Sequence, residues 1–297
     1  MYGMNILITC LFMYNATGSE MYFSELAKAL TKLGHDVTVT TKHCSNYFSK
    51  ESQDFNYKIV NPLNIDENTA NKKFDLVLIS HANIMFKYLS DFKFHRHTKY
   101  INIVHSEIYP DEHPIVEPFI NKYIAIRKPI QDMLINDFNI PKSKTEIIYN
   151  PIDTNRFNTI DTTDENFGLF IGSLNELRLP SCLDFNVYCK ERGLKSIYIG
   201  SGNNQAQGYD EKLEPVWDIE TYIKKATICG GIIHGRTYWE AKLCCKETME
   251  YIIDSSGKII DRIYENKPDQ IELDQVYSKV ASECVAQSMI NSVFSSI

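Results

Sequence analysis

"MNILITCLFMYNATGSEMYFSELAKALTKLGHDVTVTT", residues 4–41, decides the fold class. Asn5 to Phe12 is a continuous apolar run of strand length, the pattern of a strand buried on both faces of a parallel sheet. The polar loop "YNATGSE" follows, and then Phe23, Leu26, Ala27, Leu30 and Leu33 fall at helical spacing. Gly34 fits the residue just past a helix end, and "HDVTVTT" is a second strand. Strand, helix and strand form a βαβ unit, whose right-handed crossover builds a doubly wound parallel sheet.

The rhythm continues in both directions from that unit. "FDLVLIS" (74–80) and "YINIVHS" (100–106) are further strands, with His81 and His105 at their carboxyl ends. "KYIAI" (122–126) precedes a helix through "KPIQDMLINDFN", and a strand then runs into Asn150 and Pro151. The polar segment "TIDTTDEN" (159–166) is the best domain-boundary candidate. Beyond it "FGLFIGSLNELRLP" and "LKSIYIGSGNN" are strands with glycine loops, separated by the helix "SCLDFNVYCKERG". "VWDIETYIKKA" is a helix, "TICGGIIH" a strand, "GRTYWEAKLCCKETM" (235–249) a helix and "EYIID" a strand; the tail from Asp274 has helical spacing. The pattern predicts an α/β protein of two Rossmann-like domains, with ligands beyond the carboxyl ends of the strands and in the cleft between the halves.

Composition narrows the function classes. A length of 297 residues suits two domains, and 43% hydrophobic with 23% charged residues describes a globular chain. The net charge of -7 leaves no excess of Lys and Arg to neutralise phosphates, so nucleic acid is not expected as a partner. No apolar run approaches the roughly 20 residues of a membrane span. The N-terminus lacks a basic region and a cleavage site, and peripheral contact with a membrane surface stays open. Eight cysteines without a C-x-x-C pair read as buried reduced thiols of a cytoplasmic protein, not as a zinc site or disulfide framework.

Several segments together resemble the GT-B glycosyltransferases, specifically glycosyltransferase family 4. "TGSEMYFSELAKALTKLGHDVTVTT" is similar to the family's opening loop, helix and strand, and "KTEIIYNPIDTNRFN" to its domain-ending motif. "FIGSLNEL" resembles the start of the second domain, "SIYIGSGN" the next glycine-loop strand, and "GRTYWEAKLCCKE" the donor-site helix. Five landmarks in the family's order are more specific than any one alone. The resemblance implies two Rossmann-like domains facing a central cleft: an acceptor domain of residues 1–155 and a donor domain of residues 156–297. The last helix is a candidate to pack back on the first domain. The resemblance also implies a retaining hexosyltransferase that uses a nucleoside-diphosphate sugar, needs no metal or other cofactor, and glycosylates a glycan or other hydroxyl acceptor. The lack of a D-x-D signature agrees with the absence of a metal requirement. A UDP-sugar is preferred over a GDP-sugar.

Site residues follow from the same match. Without a metal, the leaving diphosphate needs protein charge and oriented amides. At "HGRT", Gly235 lets the backbone approach an anion, and Arg236 and Thr237 sit in the first helical turn. An arginine there opposes the helix dipole, which is easier to understand if an anion binds beside it. Arg178 is the second diphosphate candidate, against a solvated surface arginine as the competing reading. Glu240 matches the glutamate that accepts from the ribose hydroxyls; the competing reading is an i,i+4 pair with Arg236. Gly172, Ser173, Gly200 and Ser201 belong to the donor loops, and Trp217 to the nucleobase region, with a core tryptophan as the alternative. Gly18 and Ser19 match the loop that faces the donor phosphate and sugar. His105 matches a histidine near the reacting centre, against a histidine merely buried at a strand end. His105, Arg178 and Arg236 are thus the catalytic candidates.

Two positions depart from the family pattern. Ile232 stands where the first glutamate of E-x7-E would contact the donor sugar, and His234 is the nearby polar substitute. Ser173 follows Gly172 where many relatives carry arginine. These departures keep a rival in play, a non-catalytic GT-B-like nucleotide- or glycan-binding protein. A Rossmann oxidoreductase is disfavoured because no G-x-G-x-x-G is completed.

Overall fold

The computed structural model describes residues 3–92, 94–107, 112–254 and 256–294. Two compact units divide the chain, one of Met1–Pro151 with Ser282–Ile297 and one of Ile152–Ala281. The changeover thus falls at Pro151/Ile152, where the sequence reading puts it at 155/156. "TIDTTDEN" lies inside the second unit. It reads as a linker because it is polar, yet its backbone is pinned: Thr163 and Glu165 N–H groups donate to Lys224 and Lys225 carbonyls at 2.8 Å each. Buried Lys246 adds bonds to the Thr163 carbonyl at 2.5 Å and the Asp164 carboxylate at 2.9 Å.

The first unit holds seven parallel strands: β1 (Asn5–Thr9), β2 (Asp36–Thr40), β3 (Lys58–Val60), β4 (Phe74–Ile79), β5 (Phe94–Val104), β6 (Lys122–Ala125) and β7 (Thr145–Ile147). Their order in the sheet is β3-β2-β1-β4-β5-β6-β7. Helix α1 (Gly18–Lys32) makes the first crossover, as its apolar spacing predicts. Ile6, Leu7 and Ile8 are fully buried, so successive side chains of β1 are covered on both faces of the sheet. The strand order reverses between β1 and β4, which makes the loops after these strands the natural ligand site of this sheet.

The second unit repeats the plan with β8 (Phe167–Ile171), β9 (Lys195–Ile199), β10 (Glu211–Leu213), β11 (Ile228–Ile232), β12 (Glu247–Ile253) and β13 (Ile259–Glu265). The order is β10-β9-β8-β11-β12-β13, all parallel except β13. Helix α2 (Leu179–Glu191) covers the central strands, and Phe185 fills the notch left by two strand glycines. A Cβ on Gly230 would lie 2.5 Å from the Phe185 ring, and one on Gly168 2.3 Å from the Cys189 sulfur.

Beyond strands β3 and β10 and the helix Asn46–Asp54, which the sequence reading does not contain, three elements differ from it. Helix α3 (Arg236–Leu243) stops short of the predicted 235–249, because Cys245 takes a left-handed conformation (φ 55°). Helix ends usually place glycine there, so no stop signal is written at this position. Strand β13 went unread because it is an edge strand whose residues stay exposed or half-exposed, without a clean alternation. The amphipathic tail is two helices, Gln270–Val280 and Ser282–Phe294, broken at Ala281, which bridges to Ile152. The C-terminal helix belongs to the first unit: Val285, Ala286, Met289 and Ile290 share a core with Leu26 and Leu30 of α1, and Glu283 pairs with Lys32 at 3.1 Å.

All eight cysteines are free, as the spacing implies, but Cys44 and Cys284 are exposed instead of buried. Burial pushes the Cys10 and Cys229 thiols well above their ordinary range, so these two are inert core residues.

Candidate active site

The loops singled out in the second unit leave adjacent parallel strands at one carboxyl edge. Gly172 and Ser173 follow β8, Gly200 and Ser201 follow β9, Trp217 lies beyond β10, and His234 to Glu240 follow β11. The two glycine loops touch backbone to backbone. Leu174 N–H donates to the Ser201 carbonyl at 2.9 Å, and the Tyr198 hydroxyl lies 2.5 Å from the Gly172 carbonyl and 2.8 Å from that of Ser201. A Cβ on Gly200 would sit 1.8 Å from the Gly172 carbonyl oxygen, so glycine at 200 is required by this contact alone. Trp217 is 39% exposed, which excludes the core reading.

Arg178 caps α2. Its backbone N–H donates to Asn175 Oδ1 at 2.9 Å, which fixes the turn that presents the side chain. One terminal guanidinium nitrogen lies 3.9 Å from where a Gly172 Cβ would be, against the glycine loop. Its Nε is buried, and no acceptor among the described residues meets it. A buried charged donor without a partner is costly, and an anion at this edge would satisfy it.

Arg236 opens α3, and its Nε donates to Glu240 at 2.6 Å. The i,i+4 pair therefore exists, but not as a surface decoration: the side chains are 12% and 5% exposed. Thr237 lies over Gly231, 3.8 Å from the position of a Cβ there. Gly235 caps the helix in extended backbone, while His234 before it is left-handed (φ 49°), half-buried and stacked on Trp239. What holds His234 in that conformation was missed in the sequence. Glu250 of β12, opposite Gly231 in the sheet and 1% exposed, accepts the His234 backbone N–H at 2.5 Å. A buried carboxylate thus lies behind His234 on the strand next to Ile232. Only strand pairing reveals it, because 18 positions separate residues 232 and 250 in the sequence.

The first unit carries Gly18, Ser19 and His105. Gly18 opens α1, and a Cβ there would meet nothing within 4 Å. Packing therefore gives no reason for glycine at this position. The T-x-x-E spacing of Thr17 and Glu20 is a capping-box signal that the sequence reading passed over. In the structure Glu20 accepts from the backbone of Tyr14 (2.7 Å) and Asn15 (3.1 Å) and from the Thr17 hydroxyl (2.6 Å). A cavity of about 520 Å³ opens here, with Ser19 on its wall, and no Lys or Arg lines it among the described residues. Ser19 therefore faces a carboxylate-bearing cavity and not a cationic one. His81 joins the same wall, with its Nε2 3.2 Å from Glu112.

His105 sits at the carboxyl end of β5, edge-on to Tyr22 (4.6 Å between centroids) and Phe23 (5.1 Å) of α1. Its Nε2 is buried and meets no hydrogen-bond partner among the described residues. Burial, and secondarily the neighbouring His81, pushes its pKa down to about 3. The ring is therefore neutral at physiological pH and offers hydrogen bonding, not charge. The unfolded chain takes up this proton near pH 6.5 and the folded chain near 3, so the contribution is complete above 6.5 and is lost progressively below it. The denaturant midpoint is expected to fall between pH 7 and pH 5, and His105→Gln should flatten that dependence; an unchanged slope would remove His105 as its source.

Among the described residues, no His, Cys, Asp and Glu group is arranged to hold a metal ion, and no helix is long and apolar enough to cross a membrane.

Residues 16–156 match the family model for Glycosyltransferase Family 4. No curated protein matches the chain in sequence. Among solved structures, a glycosyltransferase from Rickettsia africae ESF-5 superimposes with a TM-score of 0.62 at 13% identity, over 99% of this chain and 95% of that one. A mutant of S. aureus TarM in complex with Fondaparinux, alpha-GlcNAc-glycerol and UDP gives 0.61 at 9% identity, over 99% and 97%. A putative UDP-N-acetylglucosamine 2-epimerase from Listeria monocytogenes gives 0.55 at 11% identity, over 99% and 97%, so the fold by itself does not select the reaction. Residues 16–156 are thus similar to Glycosyltransferase Family 4, and the chain has the GT-B fold of the glycosyltransferases it superimposes on.

Proposed function

We propose that the protein is a retaining, metal-independent glycosyltransferase that moves a sugar from a UDP-sugar to an acceptor hydroxyl. The observation that carries this reading is Arg178, a guanidinium with a buried, unmet Nε against the Gly172 loop. It is the group that a diphosphate would satisfy. Arg236 supplies the second positive charge at the start of α3, and Glu240 beside it is the carboxylate for the ribose hydroxyls. Protein cations in these places make a divalent ion unnecessary for charge neutralisation. UDP is favoured because the TarM structure contains UDP and the Listeria protein is named for a UDP-sugar. Trp217 is the exposed aromatic available to the nucleobase, and His234, held by Glu250, is the polar group nearest the missing 232 carboxylate. The cytoplasm, where nucleotide sugars are at hand, is the proposed location.

In the reaction, the acceptor oxygen bonds to the anomeric carbon as the bond from that carbon to the diphosphate breaks. The acceptor proton passes to the departing phosphate oxygen on the same face, which retains configuration without a protein nucleophile. The protein orients the partners and stabilises the charge that develops on the leaving group. Incubation with UDP-glucose, UDP-N-acetylglucosamine and GDP-mannose in EDTA, read by proton NMR of the anomeric region, tests all three parts. The α-configured donor should give an α-linked product and UDP. A β-linked product would refute retention, and turnover of GDP-mannose alone would refute the nucleotide assignment.

A further inference from the structure

Residues Ile232 to Gly235 form the turn that joins β11 to α3, closed by the Gly235 N–H donating to the Ile232 carbonyl at 2.9 Å. Its third residue, His234, is left-handed (φ 49°), a conformation that is strained for a non-glycine residue and persists only where neighbours enforce it. Glu250 of β12, 1% exposed, accepts the His234 backbone N–H at 2.5 Å. The His234 ring stacks on Trp239 at 5.7 Å and tilts over Tyr238 at 5.3 Å, both of them residues of α3. His234 therefore ties a buried strand carboxylate to the first turns of the helix. Burying a carboxylate is costly unless it is hydrogen-bonded, and a charge-assisted bond to a backbone N–H is among the strong ones.

The start of α3 is not fixed by a side-chain cap. Gly235 at the N-cap has no side chain to bond the first-turn amides, and the Tyr238 N–H reaches back to the Gly235 carbonyl at 3.1 Å. A Cβ on Gly235 would lie 3.0 Å from the Ile232 carbonyl oxygen, so the turn is tight. The place of Gly235 thus depends on the turn before it, and the turn depends on the bond to Glu250. Directly after the turn stand Arg236, Thr237 and Glu240, the residues assigned to the diphosphate and the ribose. We propose that Glu250 is a positioning residue for the donor site: it holds His234 left-handed and so sets where the first turn of α3 presents Arg236 and its backbone amides to the diphosphate. The inference rests on the donor reading above. It differs from a packing role for Glu250 in what it demands of residue 234, because glycine reaches this φ without strain and needs no carboxylate to keep it there.

Calorimetric titration of UDP into the full chain and its variants tests it. Glu250→Leu, which removes the acceptor at similar volume, should raise the dissociation constant by about tenfold, the equivalent of one strained left-handed residue. Glu250→Gln keeps an oxygen for the His234 N–H and should stay within about threefold of the parent. In a His234→Gly background the effect of Glu250→Leu should shrink to about threefold or less, a coupling that a general loss of packing does not produce. The proposal is overturned if Glu250→Leu binds UDP like the parent, or if its loss is undiminished beside His234→Gly. Should Glu250→Leu show no cooperative thermal unfolding, His234→Val against His234→Gly decides, because a β-branched residue resists positive φ. Valine should then bind UDP about tenfold more weakly than glycine, and equal affinities would overturn the proposal. A parent that does not bind UDP refutes the donor reading and this inference with it, whereas a parent that binds UDP while Glu250 makes no difference refutes the inference alone.

Discussion

Arg178→Ala is expected to raise the dissociation constant for UDP by about tenfold to a hundredfold while leaving the unfolding midpoint almost unchanged. The two halves of this expectation have separate causes. Hydrogen bonds to a charged partner contribute about 1.5–3 kcal/mol each, and every 1.4 kcal/mol is about a factor of ten in affinity. Among the described residues Nε has no partner to lose, so truncation there removes a desolvated donor. Substitutions that break no packing or pairing stay within roughly 0.5 kcal/mol of the parent. Calorimetric titration of UDP alongside thermal unfolding checks both halves. Loss of stability with unchanged affinity would mean that Arg178 is a structural residue.

Arg236→Ala should behave in the opposite manner and lower the unfolding midpoint strongly. Removing the arginine takes the cation away from buried Glu240, and breaking a buried ion pair from one side costs about 3–5 kcal/mol. For a unit of this size that corresponds to a fall on the order of 10 °C. Weaker UDP binding by Arg236→Ala would therefore be ambiguous without a second variant. Arg236→Met combined with Glu240→Gln removes both charges and should regain much of the stability, because replacing both members of a buried pair is far less costly than orphaning one. If Arg236 contacts the diphosphate, the double variant still binds UDP weakly. If it binds UDP like the parent, the pair is structural only. A single variant that melts within a degree of the parent would contradict the buried-pair account.

These two arginines show what the sequence could and could not reveal. Both were legible as charges after glycine-bearing loops, since loop chemistry is written locally. Their partners were not equally legible. Glu240 was visible at i+4 from Arg236, and the choice between surface pair and site residue turned on burial, which spacing does not encode. Glu250 was invisible, because its closeness to His234 depends on the pairing of β11 with β12. The parallel sheet with helical crossovers in each half followed from the alternation of apolar runs and helical spacing, whereas the order of the strands did not. Boundaries failed where the usual punctuation was absent: Cys245 ends α3 without a glycine, and Ala281 breaks an otherwise continuous helical pattern. His105 was found by its place at a strand end, but only the rings of Tyr22 and Phe23 around it show that it is held neutral.

The central claim is that the second unit holds a nucleotide diphosphate by protein charge. It is tested most directly by titrating UDP calorimetrically into the full chain stripped with EDTA. Saturable binding to one site, unchanged when magnesium is added back, is the predicted result. Absence of saturable binding, or binding that appears only with the metal restored, would contradict it.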